Sequence, residues 1–150
     1  LIATRDASQN GPLYRRADFD PARNETEHVR TLEAVFRQGG LMPPDKTEVV
    51  GRDLRRQQAL KYLLASGALI RAVDRMSKRS ILFHREAIEQ ARIDLTRTFA
   101  AVPAGFLAKE AGAALGISRK FSIPLLEHLD AVRFTRRAGD RRTIVPSADG

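Results

Sequence analysis

Between Gly116 and Val145 the apolar residues first recur at helical spacing and then alternate. Phe121, Leu125, Leu129 and Val132 follow at steps of four, four and three, so they share one helix face and can seat it on a core. Ser118 stands where its hydroxyl can cap this helix, which leaves Arg119 and Lys120 on the first turn beside the positive end of the helix dipole. Phe134-Thr135-Arg136 and Arg142-Thr143-Ile144-Val145 then place β-branched or aromatic residues at alternate positions, and Arg137-Ala138-Gly139-Asp140-Arg141 supplies the glycine a hairpin turn needs. Pro124 lies inside the helical pattern. It predicts either a kink after the first turn or a regular helix that starts near the proline. A helix followed by a basic hairpin is the second half of a winged helix, which sets a helix start and a β-turn against a nucleic-acid backbone.

The rest of the chain repeats this order. Glu25 to Gln38 predicts an amphipathic helix with Val29, Leu32, Val35 and Phe36 on one face, Asn24 placed to cap it and Gly39-Gly40 to stop it. Met42-Pro43-Pro44 opens a short second helix. Asp53 to Ser66 is a third, with Leu60, Leu63 and Leu64 apolar and Arg52, Arg55 and Arg56 at its start. Ala68 to Val73 and Ser80 to Phe83 read as strands flanking Asp74 to Arg79. Glu86 to Ala100 begins the second round, Pro103 breaks it, and Phe106 to Leu115 is the next helix, ending at Gly116. Laying 59–71 over 124–136 pairs Leu60 with Leu125, Leu64 with Leu129, Leu69 with Phe134 and Arg71 with Arg136, and Lys78-Arg79 answers Arg141-Arg142. The expected fold is mainly α with small β-hairpins: two tandem winged-helix domains over 24–84 and 85–145, a linker over 1–23 and a tail over 146–150.

Charge sharpens this picture. The net charge is +8, yet residues 1–51 hold seven Lys/Arg against eight Asp/Glu, and residues 85–116 hold four against four. Residues 52–84 hold eight against two, and residues 117–145 hold seven against three. The excess therefore sits on equivalent helix-plus-hairpin blocks, as expected of a polyanion-binding surface. The absence of cysteine excludes disulfides, thiolate zinc sites and a cysteine nucleophile. No apolar run reaches the ~18 residues a membrane span needs. The expectation is a monomeric cytoplasmic protein without a membrane partner. Because the chain begins at Leu1, a fragment is expected. His28, His84 and His128 lack metal spacing, so no metal site and no enzyme activity are anticipated.

Gly116-Ile-Ser-Arg-Lys-Phe-Ser-Ile-Pro-Leu-Leu-Glu-His-Leu-Asp and Phe134-Thr-Arg-Arg-Ala-Gly-Asp-Arg-Arg closely resemble the C-terminal end of the SelB family, the bacterial selenocysteine-specific elongation factors. Met42-Pro43-Pro44 is similar to the segment that opens the preceding winged helix in that family. The resemblance implies a module that binds the SECIS hairpin of selenoprotein mRNA and tethers the factor for UGA recoding. It implicates Arg119, Lys120, Arg136, Arg137, Arg141 and Arg142 in holding RNA. Their chemistry agrees: a guanidinium reaches two phosphate oxygens at once and stacks on unpaired bases. RNA hairpins are read through backbone shape and looped-out bases. Arg52, Arg55, Arg56, Lys78 and Arg79 are secondary candidates, for RNA or ribosome contact or simply a solvated surface. No cofactor is expected in this stretch. The G-x-x-x-x-G-K-S/T loop of a GTPase is missing, so GTP would belong to an upstream domain. Two other readings stay open, a winged-helix regulator of duplex DNA and a protein-interaction module.

Overall fold

The computed structural model describes residues 21–146. Most of the expected linker and tail lie outside those residues. The elements run α1 (Pro21–Gly39), α2 (Lys46–Val49), α3 (Leu54–Ser66), β1 (Leu69–Val73), β2 (Ser80–His84), α4 (Arg85–Phe99), β3 (Phe106–Leu107), α5 (Ala108–Leu115), α6 (Arg119–Ala131), β4 (Thr135–Ala138) and β5 (Arg141–Ile144). The architecture is helical, with a two-stranded antiparallel sheet β1-β2 and a three-stranded sheet β3-β5-β4. No helix among the described residues is long and apolar enough to cross a membrane.

Three elements depart from the expected pattern. Helix α1 starts at Pro21, so Asn24 lies inside it and does not cap it. Phe106 and Leu107 form a strand before α5, because they pair with Arg142 and Arg141 across the sheet. Gly105, at φ 81, makes the turn that brings them there. Helix α6 runs through Pro124 without a break. The proline falls early in the helix and is buried; it gives up the hydrogen bond to the Lys120 carbonyl and crowds that group with its ring. Ser118 occupies the cap position, and its carbonyl accepts from the Phe121 and Ser122 amides, but its hydroxyl makes no capping bond.

Two apolar clusters hold the chain together, and the β1-β2 sheet stands between them. Ile70, Ala72, Ile81 and Phe83 lie on one face of the sheet by register, and they join Ile88, Leu95, Phe106, Leu125, Leu126 and Leu129. Leu69 and Leu82 lie on the other face and pack with Leu32, Phe36, Ala59 and Leu63. A sheet covered on both sides is read in sequence as a nearly continuous apolar run, here Leu-Ile-x-Ala-Val and Ile-Leu-Phe. The first hairpin is thus a partition and does not extend as a free wing. Truncating any of its central leucines should cost about 2–5 kcal/mol.

His84 ties α1 to the start of α4. Its ring is fully buried, Nδ1 accepts the Glu86 amide at 3.1 Å as the helix cap, and Nε2 meets Glu33 at 2.9 Å. A ring that accepts at Nδ1 carries its proton on Nε2, so Nε2–H donates to the Glu33 carboxylate. That bond holds the Glu33 carboxyl below its ordinary range, against a smaller opposing effect of burial.

Candidate nucleic-acid interface

The second hairpin is built to display arginines. Strands β4 and β5 are joined by Gly139 and Asp140, and Gly139 sits at φ 65, where the absence of a side chain avoids strain. Register places Arg137 opposite Arg142, and Ala138 opposite Arg141. Alternation therefore puts Arg136 and Arg141 on the outer face, with Thr135, Arg142 and Ile144 on the inner face. Arg137 shares the inner side but stands beyond the core, near the turn, and is exposed.

Each guanidinium has its own setting. Arg137 donates from Nε to the Gly139 carbonyl at 2.9 Å, which fixes its head at the hairpin tip. Arg141 reaches the Gly105 carbonyl at 3.3 Å through one terminal nitrogen and stays exposed. Arg136 and Arg119 are exposed and make no side-chain bond with the described residues.

Arg142 does not join this group. Only 3% of it is exposed, and Nε donates to the two oxygens of Asp130 at 3.2 and 3.0 Å. The Thr135 hydroxyl donates to the same carboxylate at 2.5 Å. Arg142 is corrected from an RNA-contact candidate to the inner strut that fastens β5 to the end of α6. The signal was available in the alternation, because Arg142 stands two residues before the inward Ile144.

Glycine at position 105 is required by the same junction. A Cβ there would come within 2.4 Å of the Arg142 carbonyl oxygen, on a backbone already at φ 81. Arg92 lies 4.7 Å from the centre of the Phe134 ring and closes the underside of the hairpin from α4. Together with burial, the same arginine keeps the nearby His128 below its ordinary pKa, burial being the larger cause.

At the start of α6, Lys120 is turned toward the other half of the chain. It lies 5.3 Å from the Phe121 ring centre and lines a cleft with Pro43, Pro44, Asp45, Lys46 and Arg79. Helix α6 is about 20 Å long, so its start stands well apart from the hairpin that follows its other end. Among the secondary candidates, Arg79 alone is brought to the same cleft as a primary one. Lys78 holds the first turn at φ 63. Arg56 donates to the Val49 carbonyl at 2.7 Å and serves packing, while Arg55 lines a groove between α1 and α3 with Tyr62. Lys46 went unnoticed in the sequence because it is a single cation between Asp45 and Glu48 on a four-residue helix.

Comparison with known proteins finds likenesses over most of the chain. Residues 99–144 match the family described as elongation factor SelB, winged helix, and so span β3 to β5. Across 123 residues the chain is 28% identical to the selenocysteine-specific elongation factor of Desulfomicrobium baculatum, covering 77% of this chain and 18% of that protein. Two solved structures share the fold. One is a bacterial selenocysteine-specific elongation factor EF-Sec, with a TM-score of 0.66, 19% identity, and coverage of 86% of this chain and 20% of that one. The other is the mRNA-binding domain of E. coli SelB in complex with SECIS RNA, with a TM-score of 0.57, 18% identity, and coverage of 83% of this chain and 99% of that one. The chain spans about a fifth of the length of the full elongation factors it matches. The chain is thus similar to the SelB elongation factors, through the winged helix of residues 99–144 and through likeness along most of its length.

Proposed function

We propose that this chain is a tandem winged-helix module that binds an mRNA hairpin of the SECIS class, within a selenocysteine-specific elongation factor tethered for UGA recoding. The observation that carries the reading is the exposed arginine trio of the second hairpin, Arg136, Arg137 and Arg141, on a segment that matches the SelB winged helix. Repetition of helix, hairpin and basic turn supports two units, with the β1-β2 sheet as the hairpin of the first. The relative solved with SECIS RNA supports the ligand class.

The mechanism is binding. Arg137, pinned by Gly139, presents its remaining donors outward with little rotamer entropy left to lose, which favours a charge-assisted contact to a phosphate or a looped-out base. Arg136 and Arg141 present a second pair on the outer face, and Arg119 extends the surface at the helix start. Arg52 and Arg55, exposed near the start of α3, are left for a second RNA surface such as the ribosome. Competition between a looped RNA hairpin, the same stem closed without its loop, and duplex DNA tests this function. The looped hairpin should win, with affinity falling steeply as salt rises. Preference for duplex DNA would overturn the reading.

A further inference from the structure

The cleft at the junction of the two halves is lined by no residue of the second wing. Its volume is about 340 Å³, at the lower end of the ~300–1,000 Å³ typical of ligand sites. Three cations from three elements line it: Lys46 on α2, Arg79 before β2 and Lys120 on α6. All three are exposed, and none forms an ion pair with the described residues. Asp45 is the cleft's one carboxylate, and it is committed elsewhere. Its Oδ1 accepts the Thr47 amide at 2.7 Å, a bond that leads the causes lowering its pKa, with a smaller share from the Lys120 charge. Among the lining residues two positive charges remain in excess over a floor of Pro43, Ile81 and Leu82, and Asp74, outside the lining, offsets part of the Arg79 charge.

Lys120 is the neighbour of Arg119 in the first turn of α6, so the cleft borders the helix entry assigned above to the hairpin. We propose that it seats a backbone phosphate of the single-stranded RNA flanking the bound hairpin, so that the RNA footprint crosses both halves of the chain. This inference rests on the hairpin-binding reading. Lys46 and Arg79 extend the footprint onto the first half, which has no counterpart of the free second wing. Phosphate chemistry suits the cleft better than base recognition, since no aromatic side chain lines it and its donors are cationic.

The test uses the 150-residue chain with two RNAs, a trimmed hairpin and the same hairpin carrying six-nucleotide single-stranded extensions at both ends. The extensions should tighten binding about 3- to 10-fold and steepen the salt dependence by about one counterion, as for one added phosphate contact. Arg79→Ala and Lys46→Ala should each erase that gain and leave affinity for the trimmed hairpin unchanged. Extensions that add no affinity, or variants that keep the gain, overturn the inference. Should the chain bind neither hairpin, the hairpin reading fails by itself, and a titration with hexauridylate followed by backbone amide shifts judges the cleft. Shifts at Lys46, Ser80 and Lys120 then support it, and unmoved amides there refute it.

Discussion

Replacing Asp130 by alanine should be among the most damaging single changes on the second half of the chain. Its carboxylate accepts from Arg142 Nε twice and from the Thr135 hydroxyl, so it serves a charge and a neutral donor at once. Without it Arg142, whose side chain is 4% exposed, is left inside with no counter-charge. Breaking a buried pair from one side costs about 3–5 kcal/mol. The Asp130 side chain is 23% exposed, which lets water soften the loss and points to the lower end, about 3 kcal/mol. That is a large share of the ~5–15 kcal/mol by which a domain is stable. Arg142→Met keeps most of the buried stem and removes the charge, leaving Asp130 with Thr135 and solvent, so it should cost about 1 kcal/mol. Urea unfolding followed by circular dichroism measures both, and the double variant closes the cycle. The double variant should be more stable than Asp130→Ala alone. A loss below about 1 kcal/mol for Asp130→Ala, or a double variant no better than it, would refute the strut. Once folded, Arg142→Met should hold RNA within about twofold of the parent, because its guanidinium never reaches the surface.

Two glycines of the same sheet should respond unequally to alanine. Gly105→Ala drives a methyl group into the Arg142 carbonyl and should unfold or grossly weaken the second half, whereas Gly139→Ala meets no atom and should cost only the ~1–2 kcal/mol of a left-handed residue; thermal melts compare them. Acid should reveal the buried His84–Glu33 bond. The Glu33 carboxyl titrates below its ordinary value of 4.5, so its contribution is complete above that pH and is lost as pH falls through the lowered value. Glu33→Gln should therefore show a shallower loss of stability than the parent below about pH 4.5 in urea titrations at stepped pH.

The helix-hairpin pairs were legible in the sequence because helical and alternating periods follow one another without interruption from Leu54 to His84 and from Arg119 to Ile144. What escaped depends on partners distant in the chain. Phe106-Leu107 is too short to alternate and becomes a strand only through pairing with residues some thirty-five positions later. Burial of Arg142 needs Asp130 at the far end of a helix, and charge alone argued for the surface. The double burial of the first hairpin was written in its unbroken apolar runs, but likeness to the second hairpin masked it. In the site, the hairpin arginines follow from strand and turn pattern. The orientation of Lys120 toward Arg79 and Lys46 depends on how α6 packs against β1, which no local pattern encodes.

The proposed grip on RNA depends on guanidinium groups at one hairpin tip, and their removal tests it most directly. Fluorescence titration of a labelled SECIS-type hairpin should show Arg137→Ala and Arg141→Ala each losing about 1–3 kcal/mol of affinity, with unfolding curves close to the parent's. Parent-like affinity in both variants would contradict it.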